Sequence, residues 1–210
     1  MLNEIMRKRP NTGNRKGEKE RKMAVNLQKW QEISLTKENP NLNRIMVGLG
    51  WDMAEEGANI DCDASVILLR NGRLKHRLKD VICYYHLKHN SGAVQHMGDN
   101  VTGAGIGDDE QILVDLSKMP EDCDRAVFVV NIYAANLKKQ HFGNIKNCYI
   151  RLVDRNSGEE ICNYNLSEKY DGKTAVIFGQ VYRCQGEWKF NAIGEGTTDK
   201  GLRALCKRFC

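Results

Sequence analysis

Apolar residues recur along this chain in short runs of strand length, at 45–49, 66–69, 81–85, 112–116, 126–133, 148–153, 161–166, 174–182 and 188–193. Each run is rich in Val, Ile, Tyr or Phe and is bounded by Gly, Asn, Asp or Ser, the pattern of strands separated by turns. No long segment of helical periodicity intervenes. The regular spacing therefore predicts an all-β sandwich or barrel rather than a βαβ sheet. Asn71-Gly72 and Ser157-Gly158 read as turns between strands. Thr198-Asp199, followed by Leu202, Leu205, Cys206 and Phe209, predicts a capped C-terminal helix with an apolar stripe. A shorter helical piece is expected over 134–140. There is no internal repeat, and about 188 residues from Met23 onward suit a single all-β domain.

Two acidic stretches interrupt this pattern. The first, Gly98-Asp99-Asn100-Val101-Thr102-Gly103-Ala104-Gly105-Ile106-Gly107-Asp108-Asp109-Glu110, carries four carboxylates, an amide and several glycines, and no Lys or Arg occurs from Met97 to Ser117. Crowded carboxylates repel one another unless a cation sits among them. An all-oxygen, flexible set suits a hard cation, Ca²⁺ more than Mg²⁺. The second stretch runs from Trp51-Asp52 to Asp61-Cys62-Asp63, with no basic residue between Arg44 and Arg70. If Asp61 and Asp63 open the strand that follows, their carboxylates share one face, roughly 7 Å apart, and Cys62 points the other way. Together the two stretches make either an oxygen cage or a pair of solvated acidic turns, and whether they meet in space is not written in the sequence. An EF-hand is excluded. With Asp99 at its first position, Val101 falls at the third and Ala104 at the sixth, where an oxygen ligand and a Gly are required.

Charge divides the chain sharply. Residues 1–22 hold eight Lys or Arg against three Glu, which accounts for the whole formal charge of +5, and the remainder has 24 basic and 24 acidic groups. Low hydrophobicity and like charge predict disorder for that basic extension. Glu20-Arg21-Lys22 corresponds to purine-rich codons like a bacterial ribosome-binding site, so the expectation is that Met23 is the natural start. The eight cysteines, at 62, 83, 123, 148, 162, 184, 206 and 210, include no C-x-x-C pair and fall mostly inside apolar runs. Buried free thiols in a reducing cytoplasm follow, and a zinc site does not. No run of 18 or more apolar residues is present.

These residues resemble the TerD family. The resemblance rests on Gly48-Leu49-Gly50-Trp51-Asp52, then Asp61-Cys62-Asp63-Ala64-Ser65, then Gly98-Asp99-Asn100 leading to Gly107-Asp108-Asp109-Glu110. Gln140-His141-Phe142-Gly143 and Gly186-Glu187-Trp188-Lys189-Phe190 continue it, so that it spans about Met23 to Phe209. It implies a two-sheet β-sandwich with short peripheral helices, a role in resistance to tellurite and other chemical stresses, and one or two Ca²⁺ ions held at one end. The ligand set it implies is Asp61, Asp63, Asp99, Asn100, Asp108, Asp109 and Glu110, with Asp52 as a secondary candidate whose motif serves packing as well. Implied partners are other tellurium-resistance proteins at the inner face of the membrane, and nucleic acid is not expected. Val101, Ala104 and Ile106 depart from the charged residues that interrupt this loop in many relatives, which leaves ion number and affinity open.

Catalysis has weaker support. The five histidines (76, 86, 89, 96 and 141) form no metal-binding pair on one helix face, and His86 and His89, flanking a strand end, read as surface or satisfied histidines rather than ligands. No nucleophile elbow or phosphate loop is present, and Gly103-Ala104-Gly105-Ile106-Gly107 does not match the dinucleotide fingerprint. The alternative to a calcium-binding protein is a metal-dependent hydrolase using the same acidic cluster, since the two look alike in sequence.

Overall fold

The computed structural model describes residues 23–54, 60–98 and 107–210. Twelve strands appear among them: β1 Val25–Leu27, β2 Glu32–Ser34, β3 Arg44–Met53, β4 Cys62–Leu69, β5 Val81–Ile82 and β6 Val94–His96. The rest are β7 Glu110–Asp115, β8 Arg125–Ile132, β9 Ile145–Asp154, β10 Glu160–Asn165, β11 Ala175–Cys184 and β12 Glu187–Thr197. They form two six-stranded sheets, ordered β1-β10-β9-β3-β7-β6 and β2-β12-β11-β8-β4-β5. β1 runs parallel to β10, and the other ladders are antiparallel. This is the all-β sandwich.

Each apolar run becomes a strand because one or both of its faces are covered. In β4 all eight residues are buried. Cys62, Ala64, Val66 and Leu68 enter the core between the sheets, and Ile67 and Leu69 join a second cluster on the outer face. That outer cluster is capped by the C-terminal helix (Leu202–Cys206), through Leu205 and Cys206, with Leu202 and Phe209 beside them. A strand covered on both faces reads as a continuous apolar run.

Several expectations need correction. The run at 81–85 forms strand only over its first two residues, against Val66 and Ile67; Cys83 and His86 then exchange backbone hydrogen bonds across a tight turn. The C-terminal helix begins after Gly201, with no side-chain cap. Thr198-Asp199 does not cap it, because the Asp199 carboxylate takes Arg208 and its carbonyl takes the Thr174 hydroxyl. The piece at 134–140 is one turn, Ala135–Lys138. β1, β2 and β6 carry too few alternating apolar residues to be read from sequence. All eight thiols are free, and six are buried. No helix among the described residues is long and apolar enough to cross a membrane.

Candidate functional site

The two acidic stretches meet at one end of the sandwich. β7 pairs with β3 as far as Leu49↔Glu110, and the Asp109 amide continues the ladder by donating to the Leu49 carbonyl at 2.9 Å. Across the gap between sheets, the Glu110 carboxylate accepts the Ala64 amide of β4 at 2.7 Å. Residues 107–110 and the mouth of β4 are therefore clamped together. Gly98 and Gly107 both sit at φ 118°, a backbone conformation L side chains rarely adopt.

Consecutive carboxylates at 108–110 have three different fates. Asp108 lies over sheet one with its side chain sealed from solvent, held by Arg151 Nε at 2.7 Å and Nη2 at 2.9 Å. Tyr149 Oη and Gln111 Nε2 also donate to it, each at 3.0 Å. Glu110 points between the sheets, where buried His96 places Nε2 3.3 Å from its carboxylate and 3.2 Å from the Ala64 carbonyl. Asp109 stands between these, accepting the Trp51 amide at 2.7 Å.

The motif glycines make room for this arrangement. A Cβ at Gly48 would lie 2.3 Å from the Asp108 carboxyl, and one at Gly50 2.3 Å from the Tyr149 ring. Gly50→Ala is expected to cost at least about 2 kcal/mol, read as a lower urea midpoint with an unchanged slope. An unchanged midpoint would mean that the ring moves aside freely.

Asp109 and Asp52 line an open cleft of about 750 Å³, together with Trp51, Gly107, Asn147 and Tyr149. Asp52 accepts the Asn147 side-chain amide at 2.8 Å. Among the described residues, neither carboxylate forms an ion pair with Lys or Arg. Burial pushes the Asp109 carboxyl above its ordinary range against the opposing Trp51 amide, and Asp52 and Asp108 add to the rise. The same negative field reaches the core. Burial, then Asp52 and Asp109, push the Cys148 thiol up to about 12, and Cys62 rises through burial, then Cys148, Asp63, Asp61 and Glu110.

Asp63 is buried on the face of β4 opposite Cys62, as the alternation requires, with the Asn131 amide 3.4 Å away. Asp61 precedes the strand, and its carbonyl accepts the Tyr133 amide. Asp99 and Asn100 lie outside the described residues. No three His, Cys, Asp or Glu side chains group as metal ligands among the described residues. The oxygens of Asp52 and Asp109 fit a hard cation, whereas the Asp108 carboxylate is already neutralised by Arg151. Sequence reasoning missed Arg151, Tyr149 and His96, which lie in other strands and carry no local signal.

The remaining family-like motifs are structural. His141 Nδ1 accepts the Gly143 amide and Asn144 Oδ1 accepts the His141 amide, a turn that drives Phe142 into the core. Gln185-Gly186 forms the β11–β12 turn at φ 52° and 81°, and Trp188 packs under the Arg183 guanidinium, 4.8 Å from the ring centroid. His86 bonds the Val81 carbonyl and His89 the Ser91 hydroxyl, so both are satisfied.

A family model described as the TerD domain matches residues 23–209. The stress response protein SCP2 of Bacillus subtilis (strain 168) is 47% identical over 199 residues, covering 89% of this chain and all of that protein. The tellurium resistance protein TerD of Serratia marcescens is 40% identical, covering 89% of this chain and 97% of its own length. A crystal structure of a homologue of telluride resistance protein (TerD) from Streptomyces coelicolor A3(2) shares the fold at a TM-score of 0.59. It is 20% identical and covers 74% of this chain and 90% of its own.

Proposed function

This chain belongs to the TerD family of tellurium-resistance and stress-response proteins, and from that premise we propose that it acts by binding calcium and assembling with partners rather than by catalysis. The observation that carries the reading is the open cleft lined by Asp52 and Asp109, which among the described residues form no ion pair with Lys or Arg. Two carboxylates so placed repel each other, and the burial that raises Asp109 makes its charge costlier still. Calcium supplies the missing positive charge and prefers oxygen ligands. Asp61 and Asp63 stand at the neighbouring strand mouth, joined to the 107–110 segment through the Ala64–Glu110 bond.

Calcium that binds only the folded chain stabilises it by mass action, about 2.7 kcal/mol at a hundredfold excess over Kd. For a chain of this size that raises Tm by roughly 5–11 °C. Thermal unfolding with calcium against chelator should show that shift in the wild type and lose it in Asp52→Asn and Asp109→Asn. A shift that survives in both variants would move the site elsewhere. Its relatives are named for tellurium resistance and stress response, and partner capture at this end of the sandwich is the proposed link to that role.

A further inference from the structure

Outside the acidic end, charge and apolar surface concentrate in a second place. Segment 70–88 holds six Lys or Arg against one acidic residue, Asp80, and segment 200–210 holds four against none. Asp80 is buried and ion-paired to Arg70. The rest of 23–210 carries 14 basic and 23 acidic residues, so a formally neutral body is strongly polarised. The two segments are neighbours in space. The Leu74 amide donates to the Phe209 carbonyl at 2.6 Å, and Arg77, Leu78, Tyr85, Leu202 and Arg203 line one small groove. Arg73, Lys75, Arg77, Lys79, Arg203 and Lys207 are all exposed, and none forms an ion pair among the described residues.

Apolar side chains project from the middle of this ring of cations. Leu78, on the single helical turn Arg77–Asp80, is 84% exposed between Arg77 and Lys79. Tyr84 and Tyr85 occupy the tip of the turn closed by Cys83 and His86, and Tyr85 is 67% exposed. Burying these groups would release water that they now order. Apolar tips ringed by cations fit the boundary between headgroups and acyl chains, where Tyr is at home and Lys and Arg meet phosphate.

We propose that this surface docks the protein on an anionic lipid bilayer, with Leu78 and Tyr85 entering the interface and the surrounding cations on the headgroup phosphates. A nucleic acid would use the cations and the rings but would gain nothing from Leu78, which makes that residue the discriminating one. The turn at 70–79 follows the far end of β4 from Asp61 and Asp63, about 23 Å along the strand. Docking there leaves the acidic cleft facing away from the membrane, an orientation that the repulsion between its carboxylates and anionic lipid reinforces.

The test is co-sedimentation of the full chain with vesicles of 30% phosphatidylglycerol in phosphatidylcholine, in EDTA so that the result does not depend on the calcium site. The wild type is expected to bind these vesicles, to bind pure phosphatidylcholine far less, and to dissociate as salt rises from 50 to 500 mM. Arg77→Gln/Lys79→Gln/Arg203→Gln should lose on the order of a hundredfold in affinity, about fivefold per cation. Leu78→Ser/Tyr85→Ser should lose about tenfold with the salt dependence intact. All five positions are exposed, so both variants should melt like the wild type. Absent binding to the anionic vesicles would overturn the proposal. So would full binding by the triple variant, which would place the contact elsewhere, for instance on the basic residues 1–22. Unchanged vesicle binding by Leu78→Ser/Tyr85→Ser, with equally tight binding of a DNA duplex, would make this a general polyanion surface and sink the lipid assignment.

Discussion

Replacing Arg151 by Met is expected to lower stability by about 3 kcal/mol, a fall in Tm of roughly 6–12 °C for a chain of this length. The substitution removes both guanidinium bonds to Asp108 and the 3.2 Å bond to Glu160. It leaves a carboxylate with no solvent exposure on its side chain, held among the described residues by Tyr149 and Gln111 alone. An uncompensated buried charge is among the costlier defects a fold can carry. The figure sits at the low end of the range because Arg151 itself is about one-third exposed. Adding Asp108→Asn to the Arg151→Met chain should recover part of the loss, since the stranded charge is then gone. A single variant that melts within 2 °C of the wild type would show the pair to be energetically idle.

The second large effect concerns Glu110. Glu110→Ala removes the acceptor for the Ala64 amide and the partner of His96 in a nearly dry gap between sheets. An unsatisfied buried donor, a lost polar partner for His96 and a cavity together should cost about 4 kcal/mol. The cost should appear in chelator as fully as in calcium, because the contacts are made within the chain. Urea unfolding in EDTA reads it directly. A carboxylate serving only as a metal ligand would give the opposite result, with its removal neutral or mildly stabilising once the ion is stripped.

The strands of this sandwich were legible wherever a covered face demands an apolar run. Runs such as 126–133 and 174–182 are apolar because they lie mid-sheet, and their limits match β8 and β11 closely. The three-residue strands at Val25–Leu27, Glu32–Ser34 and Val94–His96 were not legible. All three are sheet edges, and each is too short for its alternation to show: β6 buries only Val94 and His96, one of them polar.

The candidate site was legible in its residue types and not in its directions. Asp108, Asp109 and Glu110 look equivalent as a run, yet one is committed to Arg151, one to the cleft and one to the interior. What separates them is supplied from strands more than 40 residues away: Tyr149 and Arg151 of β9, and Ala64 of β4. The glycines at 48 and 50 were conspicuous in the sequence, but their purpose, giving space to a carboxylate and a phenol ring, shows only once β3, β7 and β9 are side by side.

Calcium binding at the Asp52–Asp109 cleft is the central proposal. Isothermal titration of calcium into the metal-stripped full chain, with magnesium as control and Asp52→Asn and Asp109→Asn alongside, tests it most directly. The predicted result is saturable calcium binding in the micromolar range, weaker for magnesium and reduced at least tenfold in each variant. No calcium heat in the stripped wild type, or heat unchanged in both variants, would contradict it.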